Sequence, residues 1–252
     1  MKIIVDNQLI EYRDEGSGKV LVLMHGWGTD LATFDVLAKH LAQHFRVIRF
    51  DFPGFGQSQM PVGDWTVDDY ANLTAGLLTK LKIDNLYAVI GHSFGGRIIV
   101  KGVSDGKLNP EKVVLIGSAG VKPRKSIKHH VYRAVAKTGK AITALPGIKK
   151  VQPILRSKLY KSIGNTDYLE SGAMKKVFLN TINEDLLPHV KNINQPTLLI
   201  WGRNDTETPF RDAETMLESL QNGELDAIDD AGHFVYLEAP ENVIKDLDRF
   251  LS

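Results

Sequence analysis

Three short motifs in this 252-residue chain carry residue types that could act together on a carbonyl carbon. The first is Gly91-His92-Ser93-Phe94-Gly95-Gly96, a G-x-S-x-G in which glycines flank a serine on a turn too tight for larger neighbours. A serine hydroxyl is a poor nucleophile at its ordinary pKa, so a base must take its proton and a third group must hold that base in one tautomer. His233, in Ala231-Gly232-His233-Phe234, is the candidate base, and Asp205, in Gly202-Arg203-Asn204-Asp205, is the candidate acid. Asp212, Asp229 and Asp230 are less well placed. The chemistry also needs two backbone N–H groups aimed at a developing oxyanion. The second motif that could supply one is His25-Gly26-Trp27-Gly28, which makes the N–H groups of Trp27 and Phe94 the expected pair. Each such donor is typically worth about 10² to 10³ in rate. His25 fits an ordering role in its loop better than a base, and Trp27 serves either as a pocket wall or as packing.

These motifs work only if strands and helices bring them to one place. Apolar runs at 20–24, 47–50, 86–90, 113–116 and 197–201 read as buried strands. Amphipathic stretches at 33–44, 67–81 and 97–104 read as helices between them. Strand alternating with helix implies a mostly parallel sheet covered on both faces. Residues 2–5 and 9–13 read as a leading hairpin. After about residue 196 the pattern resumes with a strand at 197–201, a helix near 210–220, a strand near 224–228 and a helix near 242–251. The carboxyl ends of parallel strands share an edge, so Ser93, Asp205 and His233 are expected to meet there, each in the loop after a strand.

Between 121 and 191 the rhythm breaks. Helical periodicity runs through this stretch, with breakers at Pro146-Gly147 and Pro153, and no convincing strand. It also holds 15 Lys and Arg against 4 Asp and Glu, a local charge of +11 in a chain whose formal total is +1. The expected organisation is therefore a core of residues 1–120 and 192–252 with a helical cap, 121–191, inserted in it. The near-neutral total argues against nucleic-acid binding. No apolar stretch reaches the length of a membrane span, and the first residues alternate like a strand rather than a signal peptide. The absence of cysteine excludes a disulfide scaffold, a thiol nucleophile and a zinc-cysteine site, and with the foregoing makes a cytoplasmic location the expectation. The loop Asp51-Phe52-Pro53-Gly54-Phe55-Gly56-Gln57-Ser58 is glycine-rich but lacks the G-x-x-x-x-G-K-[ST] pattern, so it reads as structural rather than as a phosphate cradle.

Together with Trp201-Gly202-Arg203-Asn204-Asp205 and Pro209, and with Gly232-His233-Phe234 followed by Glu238-Ala239-Pro240-Glu241, these motifs resemble the α/β-hydrolase superfamily along essentially the whole chain. The resemblance is to its capped members with a serine nucleophile, since haloalkane dehalogenases and epoxide hydrolases place an aspartate where Ser93 stands. The family's alternative acid position reads Gly117-Ser118-Ala119-Gly120 here and holds no carboxylate, which favours Asp205. The resemblance implies a serine hydrolase that cleaves esters of small to medium acyl chains through an acyl-enzyme, with no metal or organic cofactor. Carbon-carbon hydrolases, lactonases, perhydrolases and ligand receptors built on the same triad fit the same residues. His25, His92, Leu145 and Tyr160 are the pocket candidates; helix packing explains the apolar cap positions equally well. One similar esterase acts on a carrier-protein-linked pimeloyl methyl ester, and carrier proteins are acidic. Lys122, Arg124, Lys125, Lys128 and Arg133 are thus a candidate docking patch for an acidic carrier or an anionic surface, with a plain solvated basic face as the simpler account.

Overall fold

The computed structural model describes residues 1–122 and 172–252. Eight strands form one sheet: β1 (Lys2–Val5), β2 (Gln8–Gly16), β3 (Val20–Met24), β4 (Arg46–Phe50), β5 (Leu86–His92), β6 (Lys112–Ile116), β7 (Thr197–Gly202) and β8 (Gly223–Ile228). Their spatial order is β1-β2-β4-β3-β5-β6-β7-β8. β1 and β2 pair antiparallel, as does β2 with β4, and every later pair is parallel. The runs VLVLM and LYAVIGH are buried at every position, as strands covered on both faces must be.

Period-two alternation divides the interior into two layers. Val22 and Met24 face α2 (Val67–Lys80) and α3 (Phe94–Ser104), whereas Leu21 and Leu23 face α1 (Asp35–Leu41) and a C-terminal helix, Pro240–Leu251. α2 opens on a capping box in which Thr66 and Asp69 satisfy each other's backbone N–H groups. The segment at 33–44 departs from the single helix expected of it. A 3₁₀ turn at Leu31–Phe34, capped by Asp30, precedes α1, because the Asp30 carboxylate takes the Ala32 N–H and starts the coil early.

Residues 172–191 form a 3₁₀ turn (Gly172–Met174), α4 (Lys175–Asn183) and α5 (Leu187–Val190). This return segment is fastened to α3. The buried Arg97 donates to the Thr181 and Glu184 carbonyls at the end of α4, where a cation complements the helix dipole. Lys101 pairs with Glu184 at 3.2 Å, and Ser104 bonds His189 at 3.0 Å. Beyond β7 come α6 (Phe210–Ser219), β8, a short helix α7 (Val235–Glu238) and α8 (Pro240–Leu251). Leu145, Tyr160 and the basic positions from Arg124 to Arg133 lie outside the described residues.

Candidate active site

Ser93 sits at the junction of β5 and α3 with φ +50° and ψ −105°, in the left-handed region that a residue with a side chain rarely enters. Close packing holds the turn there. A Cβ on Gly95 would stand 2.1 Å from the Met24 carbonyl oxygen, and one on Gly91 would stand 2.7 Å from the Gly95 carbonyl carbon, so only glycine lets α3 approach β3 and β5 so nearly. Hydrogen bonds complete the clamp: the Ser93 N–H donates to the Ile116 carbonyl at 3.1 Å, and the Ser93 carbonyl accepts from Ala119 at 3.1 Å. The helix starts at Phe94, three residues before the periodicity alone would place it. The Phe94 N–H, first in α3, has no carbonyl four residues back to bond within the helix.

On the far side of β6, Asp205 and His233 meet. The imidazole Nδ1 and Asp205 Oδ2 are 2.9 Å apart, with both side chains buried. Nδ1 therefore donates and Nε2 is left to serve the open side. Asp205 is itself held: its Oδ1 accepts from the N–H groups of Glu207 and Thr208 at 2.9 Å each, and its Oδ2 accepts from the Thr208 hydroxyl at 2.8 Å. Burial pushes the Asp205 carboxyl up, but the bond and charge of His233 and the Thr208 bonds outweigh it, so the group lies below its ordinary value. The pair is an ionised carboxylate orienting an imidazole.

Two further histidines sit behind these groups. His92 is fully enclosed, and its Nε2 donates to the His233 carbonyl at 3.0 Å, linking the serine turn to the histidine loop. Burial and the neighbouring His233 push its pKa down to about 3. His25 accepts the Phe52 N–H at Nε2 (3.0 Å) and donates from Nδ1 to the Gly26 carbonyl at 2.7 Å, and burial again lowers its pKa. Both are neutral structural links that hold backbone, which is a different place from the pocket wall expected of them. Trp27 packs its ring against Phe55, Phe94 and Phe178 at centroid distances of 4.9 to 5.2 Å, so it joins the nucleophile's helix to α4. A cleft of about 440 Å³ lies between Val121, Asp185 and α6, lined by Arg211, Asp212 and Glu218 and by none of the triad candidates. Among the described residues no group of three or more His, Asp or Glu side chains could hold a metal ion.

A model of the alpha/beta hydrolase family matches residues 21–246, which span both the serine turn and the histidine loop. The chain belongs to this family. It is similar to the pimeloyl-[acyl-carrier protein] methyl ester esterase of Nitrosomonas europaea, at 25% identity over 95% of this chain and 98% of the relative. It is also similar to a 2-hydroxy-6-oxononadienedioate/2-hydroxy-6-oxononatrienedioate hydrolase of Pseudomonas putida, at 27% identity over 91% of this chain and 87% of the relative. Among solved structures, the enol-lactonase of Burkholderia xenovorans superposes over 100% of this chain and 99% of its own, with TM-score 0.77 and 23% identity, a likeness of fold.

In this alpha/beta hydrolase several working residues carry no motif signal of their own. Thr208 bonds Asp205 and also donates to the Gly117 carbonyl at 3.1 Å, tying the acid's loop to the end of β6. Glu238 accepts the Gly232 N–H at 2.7 Å and the Phe234 N–H at 3.1 Å, bracketing His233 on both sides. Asp51 takes the N–H groups of Leu31 and Gln57 at 2.8 and 2.7 Å, so the glycine-rich loop after β4 is built around a buried carboxylate. The spacing of Asp205 to Thr208 and the run Glu238-Ala239-Pro240 were visible; the partners were not. Among the described residues no helix is long and apolar enough to cross a membrane.

Proposed function

We propose that this hydrolase cleaves carboxylic esters of small to medium acyl chains with Ser93 as nucleophile, His233 as base and acid, and Asp205 as the group that orients the histidine. The observation that carries the reading is the 2.9 Å bond from His233 Nδ1 to a buried, ionised Asp205, in the same carboxyl-edge cluster as a serine held in a left-handed turn. His233 Nε2 takes the Ser93 proton as Oγ attacks the ester carbonyl. The oxyanion forms against the N–H groups of Trp27 and Phe94, and α3 directs the positive end of its dipole there. The imidazolium then gives its proton to the leaving alcohol oxygen, and water attacks the acyl-enzyme by the reverse sequence. Named esterases among the relatives support ester chemistry, and the cysteine-free composition supports a cytoplasmic site of action.

The test is hydrolysis of p-nitrophenyl esters from acetate to octanoate by the wild type and by Ser93→Ala. Turnover peaking at one acyl length, and about 10⁶-fold lower kcat in Ser93→Ala, is the expected result. Equal rates in the two proteins would overturn the reading.

The excess of basic residues in 121–191, and the carrier-protein ester in the name of one relative, favour a second reading of the same site, with the acyl group delivered on an acidic carrier. Steering by a basic face is screened within about 8 Å at physiological salt. The kcat/KM on a carrier-linked ester should then fall steeply from low to high ionic strength, and a flat salt profile would exclude docking.

A further inference from the structure

The carboxylate of Glu207 stands 3.5 Å from Nε2 of His233, on the opposite side of the ring from Asp205. Nδ1 is committed to Asp205, so Nε2 is the nitrogen that must exchange the proton with Ser93 and with the leaving group. The turn that presents Glu207 is not loose. Asp205 Oδ1 holds the Glu207 and Thr208 N–H groups, so the residue is fixed by the same carboxylate that orients the histidine. Glu207 is 56% exposed while the imidazole is 8% exposed, which puts one carboxylate in the protein and the other at the solvent side of the reacting nitrogen.

We propose that Glu207 is the specificity residue for charge on the leaving-group side, making the site select esters with neutral or cationic alcohols over those with anionic ones. The inference rests on the serine-esterase reading above. A leaving oxygen accepts its proton at about 3 Å from Nε2. With Glu207 Oε2 3.5 Å from the same atom, a charge on the leaving alcohol lies roughly 6 to 7 Å from the carboxylate or a little beyond. Between protein-surface and bulk-water screening, unit charges at that separation change an equilibrium or a rate by roughly three-fold to several tens of fold, so a factor on the order of ten is expected. An anionic leaving group meets repulsion from Glu207, and a cationic one meets attraction.

The same carboxylate stabilises the His233 imidazolium. The groups facing that ring among the described residues are Asp205 and Thr208 at Nδ1, Glu207 at Nε2, and the rings of His92 and Phe234 at 4.7 and 5.4 Å. Of these, the neutral His92 supplies no charge, so Asp205 and Glu207 are the two anions acting on it. Removing Glu207's charge lowers the pH at which His233 protonates.

The experiment compares wild type with Glu207→Gln on two substrate pairs. One is acetylthiocholine against its neutral isostere 3,3-dimethylbutyl thioacetate; the other is 3-carboxy-4-nitrophenyl acetate against 4-nitrophenyl acetate. Taking each kcat/KM ratio in the wild type over that in the variant cancels intrinsic reactivity. The expected quotient is on the order of ten in favour of the cation and on the order of one-tenth for the anion, shrinking as salt is raised. Quotients of one in both pairs would overturn the proposal. If wild type turns over none of the four, the ester reading has failed instead. The placement of Glu207 is then tested by NMR titration of His233, identified by its loss in His233→Gln. A lower midpoint in Glu207→Gln sustains the charge coupling, and equal midpoints sink it.

Discussion

The serine turn and the loops that carry Asp205 and His233 meet at one sheet edge, yet they are held by different forces. Around Ser93 the constraint is steric: glycines at 91 and 95 allow backbone contacts that a single methyl group would break. Around His233 it is polar: Asp205, Thr208 and Glu238 supply five hydrogen bonds to the side chains and backbone of positions 205–208 and 232–234 besides their contact with the imidazole. Steric positioning is indifferent to pH and intolerant of volume. Polar positioning tolerates shape and depends on the identity of each donor and acceptor.

That contrast is broken most severely at Asp205. In Asp205→Asn the amide presents a donor to Nδ1 and favours the wrong tautomer, so kcat should fall by about 10⁴ while the cooperative unfolding transition is retained. Gly95→Ala should do the reverse in kind. The added methyl collides with the Met24 carbonyl and forces α3 away from β3, lowering stability by about 1 to 3 kcal/mol and, through displacement of Ser93, kcat by about 10²-fold. Denaturant unfolding and esterase kinetics on the two variants together check the distinction. Two variants that lost stability and activity in the same proportion would show that one kind of force holds both regions.

The polar side has a gradation of its own. Thr208→Val removes the hydroxyl shared by Asp205 and the Gly117 carbonyl but leaves Asp205 its two backbone donors, so a loss of roughly tenfold in kcat is expected. Glu238→Gln keeps one acceptor oxygen and loses the other, at an exposed position. Its effect should be smaller still, about 1 kcal/mol of stability and a few-fold in kcat. A Glu238→Gln loss larger than that of Thr208→Val would reverse the order.

The difference between the two regions also explains what could be read from the chain. The serine turn was legible because its constraint is written in residue identity: only glycine fits at 91 and 95, and strand and helix patterns flank them. The alternating strands gave the parallel sheet, its edge and the place of Asp205 and His233 for the same reason, since burial on both faces demands continuous apolar runs. The polar supports were not legible. Glu238 works through N–H groups four and six residues earlier, and Thr208 through a carbonyl 91 residues away, distances along the chain that no local pattern encodes. His25 and His92 misled for a related reason. A histidine beside a nucleophile reads as a pocket residue, and only its enclosure shows that it is neutral and holds backbone.

Those two buried histidines supply the smallest and most general effect, one on stability rather than rate. His92 remains neutral in the folded protein down to about pH 3, whereas in the unfolded chain it protonates near 6.5. Below pH 6.5 the unfolded state therefore binds the extra proton, and stability falls as pH falls, by about 1.4 kcal/mol per pH unit for each histidine so held. The loss continues until the folded form also protonates; His25, lowered in the same direction, adds to it. Between pH 6.5 and 4.5, above the range where most carboxylates titrate, His92 alone should cost about 2.7 kcal/mol. Urea unfolding at those two pH values, on wild type and His92→Asn, isolates it. The variant loses the Nε2–H bond to the His233 carbonyl, or keeps it through its amide, at both pH values alike, so its absolute stability is beside the point; what must shrink is the difference between the two pH values. An equal difference in both proteins would mean that His92 takes up its proton in the folded state, and that the serine turn is not the charge-free region its packing implies.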